Sequence, residues 1–145
     1  SRTRVEVSGP AGTDCVIDAS RLRIHGMTDT PARVGAVMID CHDPDALFDF
    51  WSAVTGVEAE HRFENYIFTS KLPSGGIRLA FQRVPEDKVV KNRVHLDLAH
   101  PNPESFIAKV IALGGSRIED HESTGLHWTV LADPEGNEYC INPEH

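Results

Sequence analysis

A chain of 145 residues that is 40% hydrophobic and 25% charged has the size and balance of one globular domain with its own core. Its formal net charge of −8 and isoelectric point near 5.4 argue against nucleic acid and anionic membrane as main partners, since both require a positive face that releases counterions. Cys15, Cys41 and Cys140 are too few and too scattered for a disulfide framework or zinc finger, and no apolar run reaches the length of a membrane span. The first residues lack the apolar core of a signal peptide, so a cytoplasmic location is expected.

Residues 1–32 carry short apolar patches, Val5 to Val7, Cys15 to Ile17 and Leu22 to Ile24, between Gly, Pro and Thr breakers. They read as an N-terminal extension that adds one or two edge strands. A denser pattern begins at Arg33. A first strand within "VGAVMID" leads to Asp43 as an N-cap and Pro44 at the first helical position, predicting a helix over 44–55 closed by Gly56. Leu47, Phe48, Phe50 and Trp51 lie at helical spacing, so Trp51 reads as core or as a wall at the helix–sheet junction. Strand-like runs follow near 57–62, 65–71 and 76–84, and the charged "VPEDKVVKN" (84–92) reads as an exposed linker.

The pattern then restarts. "RVHLDLAHPNPESFIAKVIALGG" (93–115) repeats "VGAVMIDCHDPDALFDFWSAVTG" (34–56) at an offset of 59 residues, matching the apolar strand, the [DN]-P-[DE] helix start, the helical spacing and the closing glycine. Asn102 is the second N-cap, a helix spans about 103–113, and Gly115 falls where a helix end favours positive φ. Strands follow near 116–121, 126–132 and 137–142, the last pair joined by the tight "DPEGN" turn. Each half is thus βαβββ. The expected fold is α+β: two modules, about 33–84 and 92–143, whose curved mixed sheets surround a cleft with the helices outside.

This arrangement, with "HLDL" opening the second half and "LADPEGNEYC" ending it, resembles the vicinal oxygen chelate superfamily over roughly residues 33–143. That superfamily includes glyoxalase I, extradiol dioxygenases, fosfomycin-resistance enzymes and bleomycin-resistance proteins, and the best match is its glyoxalase-like domain subgroup. The resemblance implies a divalent metal in the cleft, held by up to four side chains from the first and last strands of the two modules, which chelates substrate oxygens as a Lewis acid.

Carried onto this chain, the family's four ligand positions fall at Ala36, Ala80, His95 and Cys140. Alanine cannot coordinate, and His plus Cys is one protein ligand short of an ordinary catalytic zinc site. Strand alternation puts Met38 and Asp40 on the cleft face beside Ala36, Arg78 and Gln82 beside Ala80, Asp97 beside His95, and Glu138 and Asn142 beside Cys140. Rescue by Asp40, Asp97 or Glu138 requires donors one step along each strand, roughly 7 Å from the family's position. The expectation is therefore no metal site; if a divalent Zn, Ni, Mn or Fe binds, His95 with Cys140 or Glu138 holds it.

His95 reads either as a binding or acid/base residue or as a cleft histidine hydrogen-bonded to Asp97. Cys140 reads as a small buried hydrophobe rather than a nucleophile. Arg78 either clamps a ligand carboxylate or phosphate or pairs with Glu138. Trp128 offers a platform for a planar ligand, or packs. His42 and His100 read as loop residues; His121, His127 and His145 fit no pattern. No nucleophile elbow, phosphate loop or dinucleotide fingerprint is present in the sequence.

The expected function is small-molecule binding without the family's metal, with Met38, Asp40, Arg78, Gln82, His95, Asp97, Trp128, Glu138 and Cys140 around the ligand. The alternatives are an enzyme, metal-dependent or using His95 for acid/base catalysis as a lyase, isomerase or dioxygenase, and an interaction module with a vestigial cleft. Exposed sheet edges favour a homodimer over a monomer.

Overall fold

The computed structural model describes residues 32–144, so the edge strands expected nearer the N-terminus, and His145, lie outside the described residues. From Ala36 onward the two repeats each build the expected unit. The first comprises β1 (Ala36–Cys41), α1 (Pro44–Thr55), β2 (Ala59–Arg62), β3 (Tyr66–Lys71) and β4 (Arg78–Arg83). The second comprises β5 (Asp97–His100), α2 (Pro103–Ala112), β6 (Ser116–Ser123), β7 (Leu126–Ala132) and β8 (Glu138–Pro143).

Both helices start where a cap and a proline coincide. The Asp43 side chain accepts from the Asp45 and Ala46 amides, and Asn102 accepts from Ser105, each satisfying donors that have no intrahelical partner. At the other end the two repeats differ. Gly56 is left-handed with φ 78°, as expected, but in the second module it is Gly114, with φ 92°, that takes this conformation. Gly115 is needed for another reason: a Cβ there would lie 2.6 Å from Val110 Cγ1 and 2.8 Å from the Ala132 carbonyl, so the missing side chain permits close approach of the chain to β7.

The sheets are mixed, in the orders β1-β4-β3-β2 and β5-β8-β7-β6, with the first strand of each module parallel to the last. Alternation then assigns the faces. Val37, Ile39 and Cys41 of β1, Leu79 and Phe81 of β4, Leu131 of β7, and Tyr139 and Ile141 of β8 turn toward the helices. They join Leu47, Phe48 and Trp51 of α1 and Phe106, Ile107 and Val110 of α2 in one continuous core. At roughly 1.5–3 kcal/mol for each fully buried large apolar side chain, this shared core is what makes two short modules one unit.

Polar ties across the module boundary supplement it. Glu135 of the DPEGN turn accepts from the His42 and Asp43 amides at 2.5 and 3.0 Å, giving the start of α1 a carboxylate from the other repeat. Lys109 of α2 donates to the Ala53 carbonyl near the end of α1 at 2.6 Å.

Candidate functional site

With the helices on one side, the alternate residues of both sheets line the other. In the first module these are Met38 and Asp40 of β1, Tyr66 and Phe68 of β3, and Ala80 and Gln82 of β4, brought opposite one another by the pairs Met38–Ala80, Phe68–Ala80, Asp40–Gln82 and Tyr66–Gln82. Met38, Phe63 and Tyr66 are substantially exposed. The Phe68 ring has Phe63 edge-on at 6.2 Å and Tyr66 stacked at 6.4 Å between centroids. This aromatic group went unnoticed in the sequence, although the alternation in "YIFTSK" carries it: Ile67 and Thr69 are buried, so Tyr66 and Phe68 must face the other way.

Of the two readings open for Arg78, the pairing with Glu138 is not formed, because each residue is engaged elsewhere. Arg78 is ion-paired with Glu60 and donates to the Thr69 carbonyl at 2.8 Å, so a ligand anion reaching Arg78 competes with Glu60. Glu138 accepts from Lys88 Nζ at 3.1 Å and from the Asn92 amide at 3.0 Å, pinning the linker. Its slight burial opposes ionisation, but these two donors prevail and hold its pKa below the usual carboxylate value. Both Glu138 oxygens are thereby engaged by the linker.

Residues of both modules meet in a pocket along their seam, where Met38 and Asp40 lie with His95, Glu138 and the buried side of Trp51. A second, larger concavity of about 740 Å³ is lined by the second module alone, including His95, Asp97, Leu126, Trp128, Cys140 and Asn142. Here the register corrects the sequence reading. The β5 strand begins at Asp97, so His95 precedes it, and the residue directly across from Cys140 is Asp97. Asp97 therefore does not sit a step away from the thiol. One ligand atom from each of His95, Asp97 and Cys140 lies within 4.8 Å of the others, and His95 Nε2 is 3.3 Å from Asp97 Oδ1. The Cys140 amide donates to the Leu96 carbonyl at 2.9 Å, which fixes the segment carrying His95 against β8.

Cys140 is buried at the floor of this concavity while His95 and Asp97 are exposed at its rim. Burial, and then the Asp97 carboxylate, push the Cys140 thiol above its ordinary pKa, so it is a protonated thiol rather than a free nucleophile. Trp128 lines the same concavity, and one of its faces is already stacked on His121 at 5.1 Å and an interplanar angle of 13°. His121 is the histidine whose role sequence reasoning missed. Its partner across the β6–β7 hairpin is Trp128, a pairing set by the hairpin register.

The family's metal can be tested against these residues. Of its four ligand positions, Ala36 and Ala80 supply no donor, and the nearest concave-face neighbour of Ala80 across β1 is the Met38 thioether. Among the described residues the donors that close up on one another are His95, Asp97 and Cys140, all from the second module, so the family's two-module ligand set is not the one assembled here.

A family model described as the glyoxalase-like domain matches residues 36–142. Among solved structures, a glyoxalase/bleomycin resistance protein/dioxygenase family enzyme from Burkholderia phytofirmans PsJN superposes with a TM-score of 0.65 at 22% identity, covering 77% of this chain and 98% of that one. A lactoylglutathione lyase from Agrobacterium tumefaciens gives 0.57 at 17% identity, with 78% and 94% coverage. The fosfomycin resistance protein FosX from Mesorhizobium loti gives 0.59 at 11% identity, with 82% and 95% coverage. No curated protein sequence matches the chain. At these identities the structures establish the fold and not the reaction. The duplicated βαβββ architecture and the match over nearly all of its length from β1 to β8 make this chain a member of the glyoxalase-like domain family, within the vicinal oxygen chelate superfamily.

Proposed function

We propose that the protein binds a small organic ligand against the faces of its sheets that turn away from the helices, and that it does so without the two-module metal of its superfamily. The observation that carries this reading is the uncovered aromatic and apolar surface on the first sheet, Met38, Tyr66 and Phe68 with Phe63 beside them, rimmed by Asp40 and Gln82. Exposed apolar groups gathered on one sheet face with a few polar groups at its edge are what a ligand-binding surface offers. Trp128 and the His95–Asp97 pair supply the equivalent on the second sheet. A planar ligand with one or two hydrogen-bonding groups matches this surface better than a polyanion does, because Arg78 is neutralised by Glu60.

A thermal-shift screen of planar aromatic compounds, run in excess chelator, tests the reading. Compounds that raise the melting temperature in proportion to concentration, with a smaller rise in Tyr66→Ala or Phe68→Ala, support it. A library that acts only when divalent metal is supplied overturns it, in favour of a metal-dependent lyase, isomerase or dioxygenase.

The His95–Asp97 contact favours a second reading, acid/base catalysis with Asp97 orienting the imidazole. In that case His95→Gln abolishes turnover of a bound compound while leaving its affinity within about tenfold.

A further inference from the structure

The mismatch with the superfamily's metal site has a positive side. We propose that the second module by itself holds a thiophilic divalent ion, Zn²⁺, through Cys140 Sγ, one His95 ring nitrogen and one Asp97 carboxylate oxygen. This site differs from the superfamily's in three respects: it takes nothing from the first module, it replaces a carboxylate with a thiolate, and it adds a donor from a position that the two-module arrangement does not use.

The backbone accounts for the convergence. Asp97 and Cys140 are direct partners in the parallel β5–β8 ladder, so their side chains leave the sheet on the same face. His95, two residues before Asp97, returns to that face, and the bond from the Cys140 amide to Leu96 holds it there. The equivalent pair in the first module is Met38 and Ala80, which offers no imidazole, carboxylate or thiol at the matching place.

The distances suit the ion. Zn–N and Zn–O bonds of about 2.0–2.2 Å and a Zn–S bond of about 2.3 Å place tetrahedral ligand atoms roughly 3.3–3.8 Å apart. The His95–Asp97 separation of 3.3 Å is already at that spacing, and the whole set closes within 4.8 Å, leaving about 1 Å for side-chain rotation. Three protein donors leave a fourth position, and the open concavity beside Leu126, Trp128 and Asn142 gives that position access to water or a ligand. The donor set selects among metals. A soft thiolate with imidazole and one carboxylate favours Zn²⁺ or its surrogate Co²⁺ over Mn²⁺ and Mg²⁺, which prefer all-oxygen shells. As the sulfur–metal bond forms, the thiol proton leaves to solvent.

The test is titration of the chelator-stripped full chain with Co²⁺, followed by absorbance. One equivalent should produce a thiolate-to-cobalt charge-transfer band in the near ultraviolet with tetrahedral visible bands, displaced by Zn²⁺ and not by Mn²⁺. Cys140→Ser should abolish the charge-transfer band with the circular dichroism unchanged. Asp97→Asn and His95→Gln, both at exposed positions, should each weaken Co²⁺ binding by at least about 10- to 100-fold. Cys15→Ser should leave the band in place. No band at one equivalent, a band that survives Cys140→Ser, or affinity unchanged in both Asp97→Asn and His95→Gln overturns the proposal. The cobalt spectra and the ligand screen in chelator report separately, so failure of either leaves the other standing.

Discussion

The indole Nε1 of Trp51, on the first module's helix, donates a 3.1 Å hydrogen bond to Oδ2 of Asp133 in the second module's DPEGN turn. Both residues are buried, and Tyr139 packs against the indole with ring centroids 4.9 Å apart. Asp133 is the hub of the turn: its carboxylate also accepts from the amides of Glu135 and Asn137 and from the Asn137 side chain. Trp51→Phe keeps an aromatic ring but removes one donor to a buried carboxylate, and should cost about 2 kcal/mol in urea unfolding with an unchanged slope. Asp133→Ala, which leaves the indole and turn donors unpaired, should cost about 3 kcal/mol.

Acid should weaken the β6–β7 hairpin through Asp120. Its carboxylate accepts from the Thr129 hydroxyl at 2.7 Å and pairs with Arg117, and these contacts, the hydroxyl first, hold its pKa below the ordinary 3.8. A depressed folded pKa means that the contribution is complete above the unfolded value and is lost as pH falls through the folded one. Melting temperature should therefore decline below pH 3.8, and the Asp120→Asn protein should show a shallower decline over that interval.

Gly115→Ala should destabilise by about 1–3 kcal/mol, the usual cost of overpacking, because the new methyl meets Val110 and the Ala132 carbonyl and backbone must move. Gly125→Ala has open space around its Cβ, so any cost there comes from its φ of 79° alone, about 1 kcal/mol. Chemical denaturation of the two variants side by side checks the order.

Cys41 should resist alkylation in the native protein. Burial first, then the Glu135, Asp133 and Asp40 carboxylates acting against Arg83, push its pKa up to about 12, and its thiol donates to the Gln82 carbonyl at 3.4 Å. Iodoacetamide at pH 8 should leave the Cys41 peptide unmodified in buffer and modify it in urea, as read by mass spectrometry. Rapid native labelling contradicts the packing of β1 against the core.

Local chemistry was legible in the residues themselves. The Asp43-Pro44 and Asn102-Pro103 starts place α1 and α2 to within a residue, because caps and prolines act on neighbours a few positions away. The repeat identifies the two modules, and alternation assigns Tyr139 and Ile141 to the core and Cys140 to the opposite face. Where the residues left alternatives open, the deciding contact lies outside the local pattern. Arg78 is bound by Glu60 on β2, and Glu138 by Lys88 of the linker, whereas the repeat offered a pairing of the two as one of two alternatives.

The sequence by itself determined the family, the two βαβββ units and the absence of a metal donor at Ala36 and Ala80, since these follow from short-range pattern and residue chemistry. Only the tertiary structure decided that Asp97 faces Cys140 and that His95 lies with them, because pairing in a parallel ladder depends on register, and a shift of one residue reverses the face of every side chain.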